Sequence, residues 1–97
     1  MMMVVVSYDV ETNDRLGAKR LRHVAKICEN YGVRIQNSVF ECLVDYAHLE
    51  MLKEELLDEI DDEQDSLYFF NIGKNYKHKI ECFGSKHATA LDEPLIF

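Results

Sequence analysis

No apolar run in these 97 residues approaches the roughly 18–20 needed to span a bilayer, so no membrane association is expected. The apolar opening, Met1 to Val6, is too short for a signal-peptide core. It also lacks a preceding basic region and a small-residue cleavage site, and it reads as a first strand. Three cysteines, Cys28, Cys42 and Cys82, lie in apolar patterns without CxxC spacing, which points to reduced core thiols in a cytoplasmic protein. His23, His48, His78 and His87 show neither HxxxH nor HxH spacing, so a histidine metal site or histidine general base has little support. Of these, only His23 sits beside a basic helix face. No GxxxxGK[ST] loop, GxSxG elbow or paired-carboxylate helix is present, which removes nucleotide triphosphatase and serine hydrolase readings. Internal repeats are absent as well.

What is present is the composition of one globular domain, 47% hydrophobic and 30% charged. The net charge of −7 is unevenly spread. Glu41 to Asp65 holds eleven acids and one base, whereas the remainder carries ten bases against seven acids. Arg15, Lys19, Arg20, Arg22, His23 and Lys26 form one basic cluster without an acid, and Lys74 to His87 forms another opposed only by Glu81. Such a dipolar chain can present a basic face to a polyanion despite its acidic balance.

The pattern along the chain predicts β-α-β-β-α-β. Met2 to Tyr8 is a β-branched strand, and Thr12, Asn13 and Asp14 are N-cap candidates for a helix from Arg15 or Gly17 to Tyr31. Leu21, Val24, Ala25 and Cys28 form its buried stripe, with Arg15, Lys19, Arg22 and Lys26 on another. Gly32 is expected at the C′ position with positive φ. From Val33 to Asp45 the apolar phase changes around Gln36-Asn37-Ser38, which leaves open a hairpin or one bulged strand. A second helix is expected from Ala47 to Ile60 behind Asp45 as N-cap, then a strand from Ser66 to Ile72 and a short last strand from Lys79 to Phe83.

This order is that of an α+β, ferredoxin-like fold with both helices on one sheet face, over residues 1–84, followed by a tail over 85–97. Val4, Val6, Tyr68 and Phe70 cannot all face the helices, so a sheet-to-sheet homodimer is expected to cover the other side. The strand near Ile80 and the Leu95-Ile96-Phe97 ending suit docking on a partner's sheet edge.

Asp9 follows an apolar strand, so the sheet would hold it in a fixed direction. It is either a cap for the next turn or a carboxylate for a divalent cation, completed by a second copy across a twofold axis. The basic stripe, with Arg20 and Arg34 nearby, is either a solvated face or a track for phosphates. Gln36, Asn37 and Ser38 either satisfy backbone groups or face a ligand. Phe40 reads as core or dimer packing.

Tyr8-Asp9, the basic helix and Tyr31-Gly32-Val33-Arg34-Ile35-Gln36-Asn37-Ser38-Val39-Phe40-Glu41-Cys42 together resemble the second CRISPR-associated protein family, the small partner of the spacer-integration enzyme. The resemblance extends to Asp65-Ser66-Leu67, to Gly73 and to the Pro94-Leu95-Ile96 ending, and the Gln-Asn-Ser-Val-Phe-Glu-Cys variant is similar to subtype I-C members. It implies a ferredoxin-like homodimer and a Mg2+ (or Mn2+) endonuclease acting on double-stranded DNA or single-stranded RNA, tilted toward DNA. Asp9, paired across the dimer, would be the catalytic and metal-linked residue. Arg20 and Arg34, with Lys19 and Arg22, would match the nucleic-acid surface, and Tyr8, Gln36, Ser38 and Phe40 would support the site. The tail would dock on a partner protomer or the integrase subunit. The alternative implied by the family is a non-catalytic adaptor that binds double-stranded DNA and bridges two integrase dimers.

Overall fold

The computed structural model describes residues 1–84. Its elements are β1 (Met2–Asp9), α1 (Arg15–Glu29), β2 (Gly32–Gln36), β3 (Val39–Val44), α2 (Tyr46–Glu59) and β4 (Ser66–Gly73). The strands form one antiparallel sheet in the order β2-β3-β1-β4. Both helices pack on one face, as the ferredoxin-like reading requires.

Alternation along the strands decides which side chains meet the helices. Val4, Val6 and Tyr8 of β1 and Phe40, Cys42 and Val44 of β3 enter the core with Val24 and Cys28 of α1 and Leu49, Leu52 and Leu56 of α2. Leu21, Ala25 and Ile60 pack around this cluster half-buried. Burial lifts the pKa values of the Cys28 and Cys42 thiols to about 12, which keeps them protonated and inert. Cys82 is exposed, so it is not the core thiol that its apolar surroundings suggested.

Both helices start on the residues that capping chemistry favours. Asp14 accepts from the Gly17 N–H at 2.8 Å and Asp45 from the His48 N–H at 2.8 Å. The polar stretch between β2 and β3 resolves as a hairpin and also as an irregularity. Gln36 pairs with Val39 across the two turn residues, and the register shifts between Arg34 and Gln36.

Two expectations are corrected. Gly32 is not a left-handed helix terminus: α1 ends at Glu29 with Asn30 as its cap, and Gly32 is the first residue of β2. Glycine is needed there for space, because a Cβ would overlap the Glu41 carbonyl and crowd the Cys42 sulfur. The short strand expected at Lys79 to Phe83 does not form. Lys79 lies in a turn and residues 80–83 are irregular, since they pair with neither edge strand, β2 or β4. The Pro94 to Phe97 ending falls outside the described residues. Among those described, no helix is long and apolar enough to cross a membrane.

Candidate active site and nucleic-acid interface

The end of β1, the β2–β3 turn, the start of β4 and the first turns of α1 converge at one end of the domain. Tyr8 donates its N–H to the Ser38 carbonyl at 3.0 Å, and Asp9 stands opposite Ser66 in the ladder. Tyr8 and Asp9 leave the strand on opposite faces. Tyr8 is buried against the Phe40 ring, with centroids 6.2 Å apart, while Asp9 is exposed. The Arg34 guanidinium lies over the Phe40 ring, 5.2 Å from its centroid. Tyr8, Phe40 and Arg34 thus form one stack behind the strand end that carries Asp9.

Burial raises the Tyr8 pKa, and Arg34 partly offsets that rise. The hydroxyl makes no hydrogen bond of ordinary geometry, although Arg34 is near enough to act on it electrostatically. Gln36 is exposed. Ser38 is half-buried and contributes its backbone carbonyl rather than its hydroxyl. The structure therefore groups Tyr8, Phe40 and Arg34, with the Ser38 carbonyl on the Tyr8 amide; Asp9 follows Tyr8 on the opposite sheet face, and Gln36 stays exposed.

The basic residues divide into two sets. Arg15, Lys19, Arg22 and Lys26 are all exposed along α1, and none of them joins an ion pair among the described residues. Arg20 is different. Its side chain is 16% exposed and its Nε lies 2.9 Å from Asp65 Oδ2, with Nη2 3.3 Å from Oδ1. Its pKa is raised first by that hydrogen bond. Arg34 is half-exposed, with a loose 4.0 Å contact to Glu29. His23 faces Glu59 at 3.0 Å and bridges the two helices.

Asp65 opens the Asp65-Ser66-Leu67 motif, but no local pattern marks it as a site residue. Its side chain is fully shielded. Burial pushes its pKa up, but hydrogen bonds from Arg20 and from the Asp61 and Glu11 amides outweigh that effect and hold it below the usual aspartate value. No local pattern marks Glu41 either. Neighbouring side chains alternate to the helix face, so it projects on the opposite one, between Val33 and Val5 in the ladder. It is 4% exposed, its Oε2 has no hydrogen-bond partner among the described residues, and burial raises its pKa. Tyr68 and Phe70 occupy the same face, stacked at 5.9 Å and both exposed.

For a divalent cation, the fit is narrow. Among the described residues no group of three or more His, Cys, Asp or Glu could hold a metal ion. Asp9 suits magnesium in the sparse mode, with one carboxylate per chain and the remaining positions filled by water and phosphate oxygens.

Comparison with known proteins decides the family. The model of the family described as CRISPR associated protein Cas2 matches residues 2–80. The chain belongs to the Cas2 family. It is 54% identical over 96 residues to the CRISPR-associated endonuclease Cas2 of Halalkalibacterium halodurans, covering 99% of this chain and 100% of that protein. It is 48% identical over 95 residues to the CRISPR-associated endoribonuclease Cas2 of Nitratidesulfovibrio vulgaris, covering 98% of this chain and 93% of that protein. The crystal structure of Streptococcus pyogenes Cas2 at pH 6.5 superposes with a TM-score of 0.76 at 51% identity, over 86% of this chain and 100% of that one. The expected family and the four-stranded α+β sheet with its two helices both stand.

Proposed function

We propose that this Cas2-family chain is a magnesium- or manganese-dependent endonuclease of a CRISPR system. It cuts phosphodiester bonds at Asp9 and binds double-stranded DNA during spacer acquisition. The observation that carries the reading is the placement of Asp9: an exposed carboxylate on the end of a strand that is hydrogen-bonded on both sides. The relatives named as endonuclease and endoribonuclease support the reaction class, and only the second name specifies a substrate, RNA.

The cation, when bound, supplies charge neutralisation at the scissile phosphate. Asp9 would hold it, and the Tyr8–Phe40–Arg34 contacts pack against the same strand end. Arg34 remains outward enough to meet a phosphate oxygen. Lys19 and Arg22, with Arg15 and Lys26, track the backbone through charge without reading bases. Arg20 contributes mainly through its bond to Asp65.

Exposed, stacked Tyr68 and Phe70 beside Val5 support a sheet-to-sheet homodimer. The twofold would pair the two Asp9 carboxylates. The basic stripe on α1, unpaired among the described residues, also supports a second reading, an adaptor that holds duplex DNA for an integrase subunit and needs no chemistry.

Cleavage of labelled double-stranded DNA and single-stranded RNA with magnesium, by the wild type and Asp9→Ala in parallel, separates the two. Cutting of one substrate that vanishes with Asp9 is the expected result and names the target. Duplex binding without cutting by either protein leaves the adaptor.

A further inference from the structure

Asp65 lies at the same end of the domain as Asp9 and is fully shielded, yet the reaction proposed above does not use it. Its two oxygens accept four hydrogen bonds from three separate segments. Oδ1 accepts from the Glu11 N–H at 3.0 Å and from Arg20 Nη2 at 3.3 Å. Oδ2 accepts from Arg20 Nε at 2.9 Å and from the Asp61 N–H at 2.9 Å. The loop after β1, the helix α1 and the loop before β4 therefore meet on one carboxylate.

One of these bonds holds the chain beside Asp9 directly, and the other three hold Asp65 in place to make it. Glu11 is two residues beyond Asp9, and Ser66, next to Asp65, is the ladder partner of Asp9. Between them Val10 is buried in the core. Glu11 is held from a second direction as well, because a Cβ at Gly17 would overlap its carbonyl oxygen. The glycine lets the loop lie directly on α1 while the N–H of the same residue reaches Asp65. An unpartnered strand end would fray, but this one is pinned on both sides of the exposed carboxylate.

We infer that Asp65, clamped by Arg20, is a positioning residue that fixes the Glu11 backbone and through it the direction of the Asp9 carboxylate. The inference rests on the reading of Asp9 as the residue at which cutting occurs. It differs from a plain stabilising role, which would weaken the whole fold evenly.

The test compares the full-length wild type with Asp9→Ala, Asp65→Asn and Arg20→Lys. It follows magnesium-dependent cleavage, duplex affinity and amide hydrogen exchange at Glu11 and Leu52. Asp65→Asn is expected to lower kcat roughly 10- to 100-fold, the effect of a small misplacement of a reacting group, with KM unchanged. Its Glu11 amide should exchange roughly tenfold faster or more, as for a lost bond to a charged acceptor, and by a clearly larger factor than Leu52 in the core, which reports only the loss of global stability. Arg20→Lys, which keeps the charge but not the fork, should fall between. Wild-type cleavage by Asp65→Asn beside an inactive Asp9→Ala overturns the positioning role and leaves Asp9 in place. Equal acceleration at Glu11 and Leu52 also overturns it, since that reports general loosening. Full activity in Asp9→Ala sinks the reading of Asp9 and the positioning role together.

Discussion

Two buried carboxylates on opposite sides of this domain behave in opposite ways. Asp65, at the Asp9 end, is fully shielded and collects four donors, including a charged guanidinium. Glu41, mid-strand on the face away from the helices, is nearly as well hidden between Val33 and Val5 but leaves Oε2 unpaired among the described residues. Burial raises the pKa of both, yet at Asp65 the donors reverse the shift, while at Glu41 nothing opposes it. Shielding alone therefore says little about a buried acid; the donors around it decide whether it strengthens or weakens the fold. The first carboxylate ties together chain segments far apart in sequence. The second sits in a face that carries exposed Tyr68 and Phe70.

The sharpest way to break this contrast is to remove the better-satisfied acid. Asp65→Ala strips the Glu11 and Asp61 amides of their acceptor and leaves Arg20 without its partner, so urea unfolding should show a loss of about 2–3 kcal/mol. An unchanged midpoint would mean that water replaces the carboxylate at little cost.

Acid sharpens the same comparison. Because the folded-state pKa of Asp65 lies below its unfolded value, its contribution is complete above the ordinary value near 3.8 and is lost as pH falls through the folded one. Wild-type stability should therefore drop more steeply than that of Asp65→Asn below about pH 4, as followed by circular dichroism.

Glu41 should give the smallest effect, and one of opposite sign. Its folded-state pKa is raised, so between the ordinary value and the raised one the folded chain holds more protons and stability falls as pH increases. Glu41→Gln should melt a few degrees higher than the wild type at pH 8, with the gap closing toward pH 4. A variant that melts lower at pH 8 would show that the carboxylate has a partner under those conditions.

Much of the fold was legible because its signals are local. The β-branched Met2–Tyr8 run, the caps Asp14 and Asp45, and the apolar stripes through Val24 and Cys28 and through Leu49, Leu52 and Leu56 each depend on neighbours within about one or two turns. The helix boundaries moved by only a residue or two at most ends. Gly32 was misread because glycine at a helix end and glycine under a close backbone approach look the same in a sequence. Only the Cys42 strand beside it distinguishes them. The strand expected at 79–83 failed for a related reason: its pattern is suitable, but a strand exists only against an edge.

The candidate site divides along the same line. Asp9 and the Arg15, Lys19, Arg22 and Lys26 stripe could be placed from strand alternation and helical spacing alone, since both are properties of a single element. Nothing local shows that Arg20 reaches Asp65 across 45 residues, that Glu11 leans on Gly17, or that Glu41 is shut in between two other strands. Those contacts come from how β4 and α1 meet at one end of the sheet and from the register of β2, β3 and β1. Periodicity dictated which side chains face inward; tertiary packing chose the partner of each charge, because a hydrogen bond between distant segments depends on geometry that no short stretch of chain contains.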